Sequence, residues 1–321
     1  MAVLEKNLKQ PLYGRDFLDF SDYQTDEIEF LLGIASDVKK ARARGILTPY
    51  LQGKTLGMIF EKASTRTRVS FEVGMYELGG HALFLSNSAT QIGRGEPLED
   101  TAQVLSRYVS GLMVRTFAHE TVKTLAEYAT VPVINGLTDD HHPCQVLADL
   151  QTIQEHKGTL RGVTLTYVGD GNNMANSLLQ AAALVGMNVR IASPADYLPQ
   201  AEAVQFAKEQ AKRWQSEVVV TTDPFAAIKD ADVVYTDVWA SMGQEQEAAS
   251  RQIAFAPYQV NQELMASARR DAIFLHCLPA HRGEEVAANV IDGSQSVIFD
   301  QAENRLHAQK AVLIALLGGM D

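Results

Sequence analysis

The sequence VTLTYVGDGNNMA, at residues 163–175, joins a run of β-branched and apolar residues to a glycine-rich turn and the beginning of a helical stretch. Apolar runs of this length, rich in valine and threonine and bounded by glycine, are typical of buried strands. A strand that leads through a short turn into a helix is the repeating unit of a parallel α/β sheet. The stretch therefore predicts an α/β fold for the second half of the chain.

More strand-like runs follow this stretch, and helical stretches separate them. They lie at residues 189–192, 218–220, 233–236 and 273–275. A last helix is expected from Asn304 to Leu317, just before two glycines. This order predicts an open sheet of parallel strands covered by helices.

The first half of the chain repeats the same design. Strand-like runs at residues 55–60, 81–85 and 111–114 alternate with helical stretches, and a helix is expected at 21–44. A further helix at 143–156 leads into the second half, and we place the domain boundary within it. We expect two open parallel-sheet α/β domains, residues 1–149 and 150–321, joined by interdomain helices. The C-terminal helix is expected to pack back on the first domain.

Length and charge narrow the classes of function. The chain has 321 residues, which fits two domains of roughly 150 residues each. Its 46% hydrophobic and 21% charged residues are ordinary for a globular protein. The formal net charge of -11 disfavours nucleic acids and anionic membranes as partners. Any site for an anion must therefore be a local cluster of positive groups.

Cysteine usage and hydropathy indicate a cytoplasmic protein. Cys144 and Cys277 lie far apart and have no thiol neighbours, which predicts neither a disulfide framework nor a zinc cluster. The first residues lack the apolar stretch of a signal peptide, and no segment approaches the ~20 apolar residues that span a bilayer. We expect no metal and no cofactor.

A candidate anion site lies in the first half, at Ser64-Thr65-Arg66-Thr67-Arg68. This segment follows a strand and opens a helix, where hydroxyls, backbone N–H groups and guanidinium groups can converge on a phosphate. A helix cap beside solvated arginines is the alternative, but the position beyond a strand favours the phosphate site. Arg115 directly follows the strand-like run at 111–114, and His142 and Gln145 open the helix at 143–156.

Candidate residues of the second half also follow strands. The turn at residues 169–173 partly matches the dinucleotide-binding fingerprint, but Ser193-Pro194 stands where an NAD site requires an acidic residue. Asp237 follows the strand at 233–236 and could pair with the α-ammonium of an amino acid, or could cap a helix. Cys277 also follows a strand, although most unpaired cysteines are small buried apolar residues.

Four motifs resemble those of ornithine carbamoyltransferases and occur in the same order. They are the segments 64–68, 142–145, 237–243 and 276–279. The first two are similar to the whole aspartate/ornithine carbamoyltransferase superfamily, and the last two to its ornithine branch. The resemblance implies an enzyme of arginine metabolism that transfers the carbamoyl group of carbamoyl phosphate to the side-chain amine of L-ornithine, giving citrulline and phosphate.

The resemblance also implies roles for individual residues. Carbamoyl phosphate would be bound by Ser64, Thr65, Arg66, Thr67, Gln91, Arg115, His142 and Gln145. L-Ornithine would be bound by Asn173, Asp237, Ser241, Met242, Cys277, Leu278 and Arg305, and the catalytic residues would be Arg115, His142, Asp237 and Cys277. Gln91 matches a position that reaches into a neighbouring subunit's site, which implies a homotrimer or a multiple of trimers. The bond before Pro279 is expected to be cis, as it is in relatives.

Three alternatives remain open on the sequence. A carbamoyltransferase for another amine such as putrescine would not need groups that address an α-carboxylate, the task expected of Asn173 and Arg305. An NAD-dependent dehydrogenase is disfavoured by the missing acidic residue. A binding protein that senses amino acids would have the same ligand site but would catalyse no reaction, and the presence of Arg115 and His142 disfavours this alternative.

Overall fold

The computed structural model describes residues 11–86, 91–241, 243 and 245–318. The chain divides into two compact units. The first comprises Met1–Gln151 and Asn304–Asp321, and the second comprises Thr152–Glu303. Each unit contains one open, fully parallel sheet with helices, so the expected two-domain α/β fold is confirmed.

The sheet of the first unit has four strands in the order β2-β1-β3-β4. Its strands are β1 (Thr55–Phe60), β2 (His81–Ser86), β3 (Gly111–Arg115) and β4 (Val133–Leu137). The central strands β1 and β3 are almost fully buried, as expected for a parallel sheet covered on both faces. A core between the sheet and its helices includes Ile59, Leu112, Val114 and Leu125.

Helices connect the strands of this unit. They are α1 (Thr25–Ala43), α2 (Thr65–Glu77), α3 (Leu98–Leu105), α4 (His119–Tyr128) and the first part of α5 (Pro143–Lys157). Helix α1 begins later than the expected residue 21, because Gln24 and Glu27 form a reciprocal capping box at its start. The division between the two units, between Gln151 and Thr152, lies within α5.

The last helix, α12 (Ile298–Leu317), returns to the first unit from Asn304 onwards. Lys39 Nζ of α1 donates a 2.8 Å hydrogen bond to Asn304 Oδ1, and Lys310 Nζ donates one of 2.9 Å to Glu77 Oε2 of α2. These contacts confirm that the C-terminal helix packs on the first domain. The helix begins at Ile298, earlier than the expected start at Asn304.

The sheet of the second unit has five parallel strands in the order β7-β6-β5-β8-β9. They are β5 (Thr164–Val168), β6 (Asn188–Ala192), β7 (Val218–Thr221), β8 (Val233–Thr236) and β9 (Ile273–His276). Its helices, besides the end of α5 and the start of α12, are α6 (Asn173–Leu184), α7 (Ala201–Trp214), α8 (Pro224–Ile228), α9 (Ala248–Phe255), α10 (Gln262–Met265) and α11 (Ala288–Ile291).

The strand order of each sheet defines where a ligand is expected. Open α/β sheets bind ligands beyond the carboxyl ends of the two strands at which the chain order reverses. These strands are β1 and β3 in the first unit, and β5 and β8 in the second. Within the described ranges, no helix has the length and apolar character needed to cross a membrane.

Candidate functional site

The segment after β1 forms the N-terminus of α2. Ser64 is the N-cap in extended conformation, and its hydroxyl accepts a 3.2 Å hydrogen bond from the backbone N–H of Thr67. Thr65 and Arg66 are exposed, whereas Thr67 is buried. Ser64 therefore acts as a helix cap, and the same turn leaves the side chain of Arg66 accessible.

The two arginines of this segment have different surroundings. Arg68 Nε donates a 3.0 Å hydrogen bond to Glu72 Oε1, and its guanidinium lies 3.8 Å from the centre of the Phe84 ring. Arg66 lies close enough to His142 to act on its pKa. Arg66 is therefore the arginine of this segment that belongs to the candidate anion site.

A chain of buried hydrogen bonds connects three distant parts of the first unit. Arg305 Nη1 donates to Gln145 Oε1 at 2.6 Å, and Arg305 Nη2 donates to Thr67 Oγ1 at 3.2 Å. Gln145 Nε2 in turn donates to Asp149 Oδ1 at 2.8 Å. The resemblance implied a role for Arg305 in ornithine binding, and the structure places it beside Thr67 and Gln145. Its partners lie 160 and 238 residues away in the chain, so the local sequence contains no signal of them.

His142 lies buried among positive charges. Burial holds the pKa of its imidazole well below the usual range, and Arg305, Arg115 and Arg66 act in the same direction. The ring is therefore neutral at physiological pH and can donate a hydrogen bond from one nitrogen. Three guanidinium groups around an uncharged ring also create a positive potential that favours an anion.

Arg115 reaches this cluster from the end of β3. The pairing of β3 with β4 shifts by one residue between Val114 and Arg115, an irregularity that re-aims the following side chain. Its backbone carbonyl accepts a 2.9 Å hydrogen bond from the N–H of Glu61, which follows β1. Arg66, Arg115, His142 and Arg305 therefore form one cluster at the reversal point of the first sheet.

The second cluster is built around Asp237, which follows β8. Its Oδ1 accepts hydrogen bonds from the Val238 N–H at 2.8 Å and from Cys277 Sγ at 2.9 Å. Its Oδ2 accepts from Asn172 Nδ2 at 3.1 Å. The carboxylate therefore lies at the reversal point of the second sheet, between the ends of β5 and β9, and the structure brings the two predicted residues Asp237 and Cys277 into contact.

Asn172 and Asn173 lie at the N-terminus of α6. Asn172 is the N-cap, and its Oδ1 accepts hydrogen bonds from the N–H of Met174 at 2.9 Å and from the Tyr167 hydroxyl at 3.3 Å. Asn173, the predicted ligand, is the first residue of the helix. The role of Asn172 was not predicted, although an asparagine before a helix is a recognised capping signal.

A buried ion pair, which was not predicted from the sequence, lies beside this cluster. Arg251 Nη1 donates to Asp170 Oδ2 at 2.7 Å and to the backbone carbonyl of Trp239 at 2.9 Å. Burial raises the pKa of Asp170 to about 6, although Arg251 acts in the opposite direction. Arg251 thereby connects the turn after β5 to the segment after β8.

The loop that carries Cys277 is fixed by His276. The Leu278 N–H donates to His276 Nδ1 at 2.9 Å, so Nε2 is the ring nitrogen that donates to Glu285 Oε1, 3.1 Å away. The bond between Leu278 and Pro279 is cis, as expected. Backbone N–H groups and the buried Glu285 carboxylate thus hold the segment after β9 in one conformation.

Three predicted residues are not placed in either cluster. Gln91 is exposed at the start of a short 3₁₀ turn, and Ser241 is half-buried in the segment after β8. Met242 lies outside the described residues. The roles of these three, like those of the other predicted site residues, stay predictions.

Comparison with known proteins identifies the family. The model of the aspartate/ornithine carbamoyltransferase carbamoyl-P binding domain matches residues 15–155, and that of the Asp/Orn binding domain matches residues 161–316. The ornithine carbamoyltransferase of Anoxybacillus flavithermus is 61% identical over 306 residues, covering 95% of this chain and 98% of that protein.

Solved structures give the same result. The ornithine carbamoyltransferase from Pyrococcus furiosus matches with a TM-score of 0.94 and 54% identity, covering 97% of this chain and 99% of that one. The enzyme from Gloeobacter violaceus matches with a TM-score of 0.86 and 47% identity, covering 95% and 99%. The chain therefore belongs to the aspartate/ornithine carbamoyltransferase family, and within it to the ornithine carbamoyltransferases.

Proposed function

We propose that this protein transfers the carbamoyl group of carbamoyl phosphate to the side-chain amine of L-ornithine, with carbamoyl phosphate bound by the first unit and ornithine by the second. The observation that carries the proposal is the neutral, buried His142 among the guanidinium groups of Arg66, Arg115 and Arg305. Such a cluster, at the reversal point of a parallel sheet, suits a small dianionic substrate with a carbonyl group.

The phosphate group is assigned to the N-terminus of α2. Backbone N–H groups of the first helical turn, with the side chains of Ser64 and Thr65, provide neutral donors, and Arg66 provides a charge-assisted one. Arg66 is exposed, so an incoming anion can reach it without displacing an intramolecular partner that anchors the helix. Gln91 is assigned to a carbamoyl phosphate site of a neighbouring subunit on the resemblance alone.

The carbamoyl oxygen is assigned to Arg115, His142 and Thr67. A neutral imidazole donates a hydrogen bond without competing with the guanidinium groups for the negative charge. When the amine attacks the carbonyl carbon, that charge grows on the oxygen, and each well-placed donor stabilises it by ~3 kcal/mol. Gln145, held by Arg305, is assigned to the carbamoyl NH₂ group.

Ornithine is assigned to the second cluster. The Asp237 carboxylate, with Cys277 beside it, would pair with the α-ammonium group, and Asn173 at the start of α6 would address the α-carboxylate. Leu278 would contribute backbone groups, and Ser241 and Met242 would contact the aliphatic part of the substrate. Replacing Ser241 should therefore change the choice of amino acid more than the affinity for carbamoyl phosphate.

The reaction needs an uncharged amine. Removing the proton of a lysine-like group of pKa about 10.4 at pH 7 costs roughly 4.6 kcal/mol, at 1.36 kcal/mol per unit. The amine nitrogen forms the new C–N bond, the C–O bond to phosphate breaks with its electron pair, and the departing phosphate can accept the amine proton. Every atom is therefore accounted for without a covalent enzyme intermediate, and no cofactor is required by this scheme.

Arg305 is assigned a positioning role on its observed contacts. It holds Thr67 and Gln145, which belong to α2 and α5, in one hydrogen-bonded arrangement. It also contributes to the low pKa of His142. This role differs from the ornithine contact implied by the resemblance, and the two roles predict loss of affinity for different substrates.

The deciding experiment measures citrulline and phosphate after carbamoyl phosphate is mixed with ornithine, and with putrescine as the competing acceptor. Equal amounts of citrulline and phosphate are expected, with little product from putrescine. A preference for putrescine would show that putrescine, and not ornithine, is the substrate. Phosphate release without citrulline would contradict the transfer reaction.

We further propose a cytoplasmic homotrimer, or a multiple of trimers, on the resemblance at Gln91. Sedimentation equilibrium gives the mass of the assembly directly. If the trimer completes each site through Gln91, mixing Gln91→Ala subunits with Arg66→Ala subunits should restore part of the activity that each variant alone has lost. A fully active monomer would contradict this arrangement.

A further inference from the structure

A second group of potential ligands lies in the first unit, outside both clusters. Asp19, His119 and His141 each offer one ligand atom, and these atoms all lie within 4.8 Å of one another. The three residues come from separate segments: His119 opens α4, His141 precedes α5, and Asp19 follows Phe17, which pairs with Ile134 beside the sheet. No cysteine contributes, so cysteine spacing could not reveal this group.

The side chains of two members are held by neighbouring groups. Asp19 Oδ1 accepts a 2.6 Å hydrogen bond from the Ser21 N–H, and Asp19 Oδ2 lies 3.5 Å from His119 Nε2. On the far side of the ring, His119 Nδ1 lies 3.1 Å from Thr138 Oγ1. A histidine whose second nitrogen is fixed in this way is typical of a metal ligand.

The third member carries an unsatisfied polar atom. His141 is 8% exposed, and its Nδ1 is buried and makes no hydrogen bond within the described part of the chain. Its ring centre lies 4.9 Å from that of His119. A buried nitrogen without a partner is costly unless a ligand uses it.

We propose that Asp19, His119 and His141 bind one divalent transition-metal ion of the Zn²⁺ type. Bound to a metal ion, both imidazoles would be neutral, so that with the one carboxylate the ligand set would carry a net charge of -1. Imidazole nitrogen favours Zn²⁺, Co²⁺ or Ni²⁺ over Mg²⁺ and Ca²⁺. Three protein ligands leave a fourth position for water in tetrahedral geometry. The ion would tie three chain segments together, so its binding stabilises the folded first unit.

The experiment uses Co²⁺ as a spectroscopic probe on metal-stripped, full-length protein carrying Cys277→Ser. This background removes the thiol of a second candidate group, Asp237, His276 and Cys277, which lies in the second unit. A third group, His281, Glu284 and Glu285, keeps its ligands in this background, and the variants of the first unit distinguish binding there from binding at Asp19, His119 and His141. We expect one Co²⁺ per chain with the visible absorption of a tetrahedral site, displaced by Zn²⁺. His141→Asn and Asp19→Asn should each weaken binding by at least about tenfold, the lower end of what loss of a supporting group causes. His81→Asn, which removes an exposed histidine, is the matched control and should bind as before.

The controls separate a metal site from a simple hydrogen-bonded pair of Asp19 and His119. Equal Co²⁺ affinity of His141→Asn and His81→Asn would overturn the proposal, as would loss of all binding in the Cys277→Ser background. Asparagine keeps an amide near the position of Nδ1, and circular dichroism checks that the variant folds. If His141→Asn does not fold, the test is the rise in Tm on addition of Zn²⁺. It is measured for the Cys277→Ser protein and for Asp19→Asn in the same background. A larger rise in the Cys277→Ser protein supports the site, and no rise refutes it.

Discussion

Replacing Arg66 by alanine tests the assignment of the phosphate group most directly, because Arg68 offers a matched control two residues away. Both changes remove one positive charge from the first turn of α2. Arg68 is engaged with Glu72 and stacks on Phe84, whereas Arg66 is exposed and acts on His142. The pair of variants therefore separates a direct contact from a general change in charge.

The expected size follows from the surroundings of each arginine. A hydrogen bond from a charged donor contributes roughly 1.5–3 kcal/mol, which corresponds to an affinity change of about 10- to 150-fold. Arg66→Ala should weaken the binding of carbamoyl phosphate and of inorganic phosphate by this factor and should lower turnover. Because Arg66 is exposed, the free energy of unfolding should change by no more than about 0.5 kcal/mol. Arg68→Ala should alter phosphate affinity by less than about threefold, since exposed charges beyond contact distance are screened.

Steady-state kinetics at saturating ornithine give the KM for carbamoyl phosphate, and phosphate inhibition gives an independent measure of the same subsite. Unfolding in urea shows whether either variant is destabilised. An equal loss of carbamoyl phosphate affinity in the two variants, or unchanged kinetics of Arg66→Ala, would refute the assignment of the phosphate group to Arg66.

Further predictions concern the second cluster and the charge states. Asp237→Asn should raise the KM for ornithine about 10- to 150-fold, because one charged contact is lost, while the KM for carbamoyl phosphate stays nearly constant. Parallel loss of both affinities would count against the assignment. Arg251→Met should lower the free energy of unfolding by roughly 3–5 kcal/mol, because it leaves Asp170 buried without its cation, and a urea midpoint equal to that of the unaltered protein would contradict this. The pKa of Asp170 is raised to about 6 in the folded state, compared with about 3.9 in the unfolded chain. The folded state therefore binds this proton more tightly, and its contribution to stability is lost as the pH rises from about 4 to 6. Asp170→Asn should remove that part of the pH dependence of urea unfolding. Nitrogen NMR should find His142 neutral at about pH 6, and protonation there would show that burial and the arginines do not depress its pKa.

Local pattern was enough to predict most strands and helices and the segments that form the two clusters. Strand runs such as residues 164–168, rich in β-branched residues, are buried along their whole length because the sheet is covered on both faces, and polar residues mark the turn that follows. Since parallel strands end at the same edge of a sheet, residues such as Arg115 and His142 could be grouped from their positions in the sequence alone.

Contacts between distant segments could not be predicted in this way. Arg305 lies in an ordinary helical stretch, and nothing around it in the sequence indicates a partner such as Thr67. The pair of Asp170 and Arg251 joins residues 81 positions apart. The start of α12 at Ile298 was also not predicted, for a different reason: apolar periodicity defines the middle of a helix better than its ends.

The path of α12 bears on how this chain folds during synthesis. Helix packing that holds Gly74 of α2 against Lys310 and Leu313 is made only after nearly the whole polypeptide has been translated. The second unit is continuous in sequence and can complete its five-stranded sheet earlier, although the first unit emerges from the ribosome before it. Until residues 304–317 are translated, the surface of α2 that they cover stays exposed, and transiently exposed apolar surface favours aggregation of a folding intermediate.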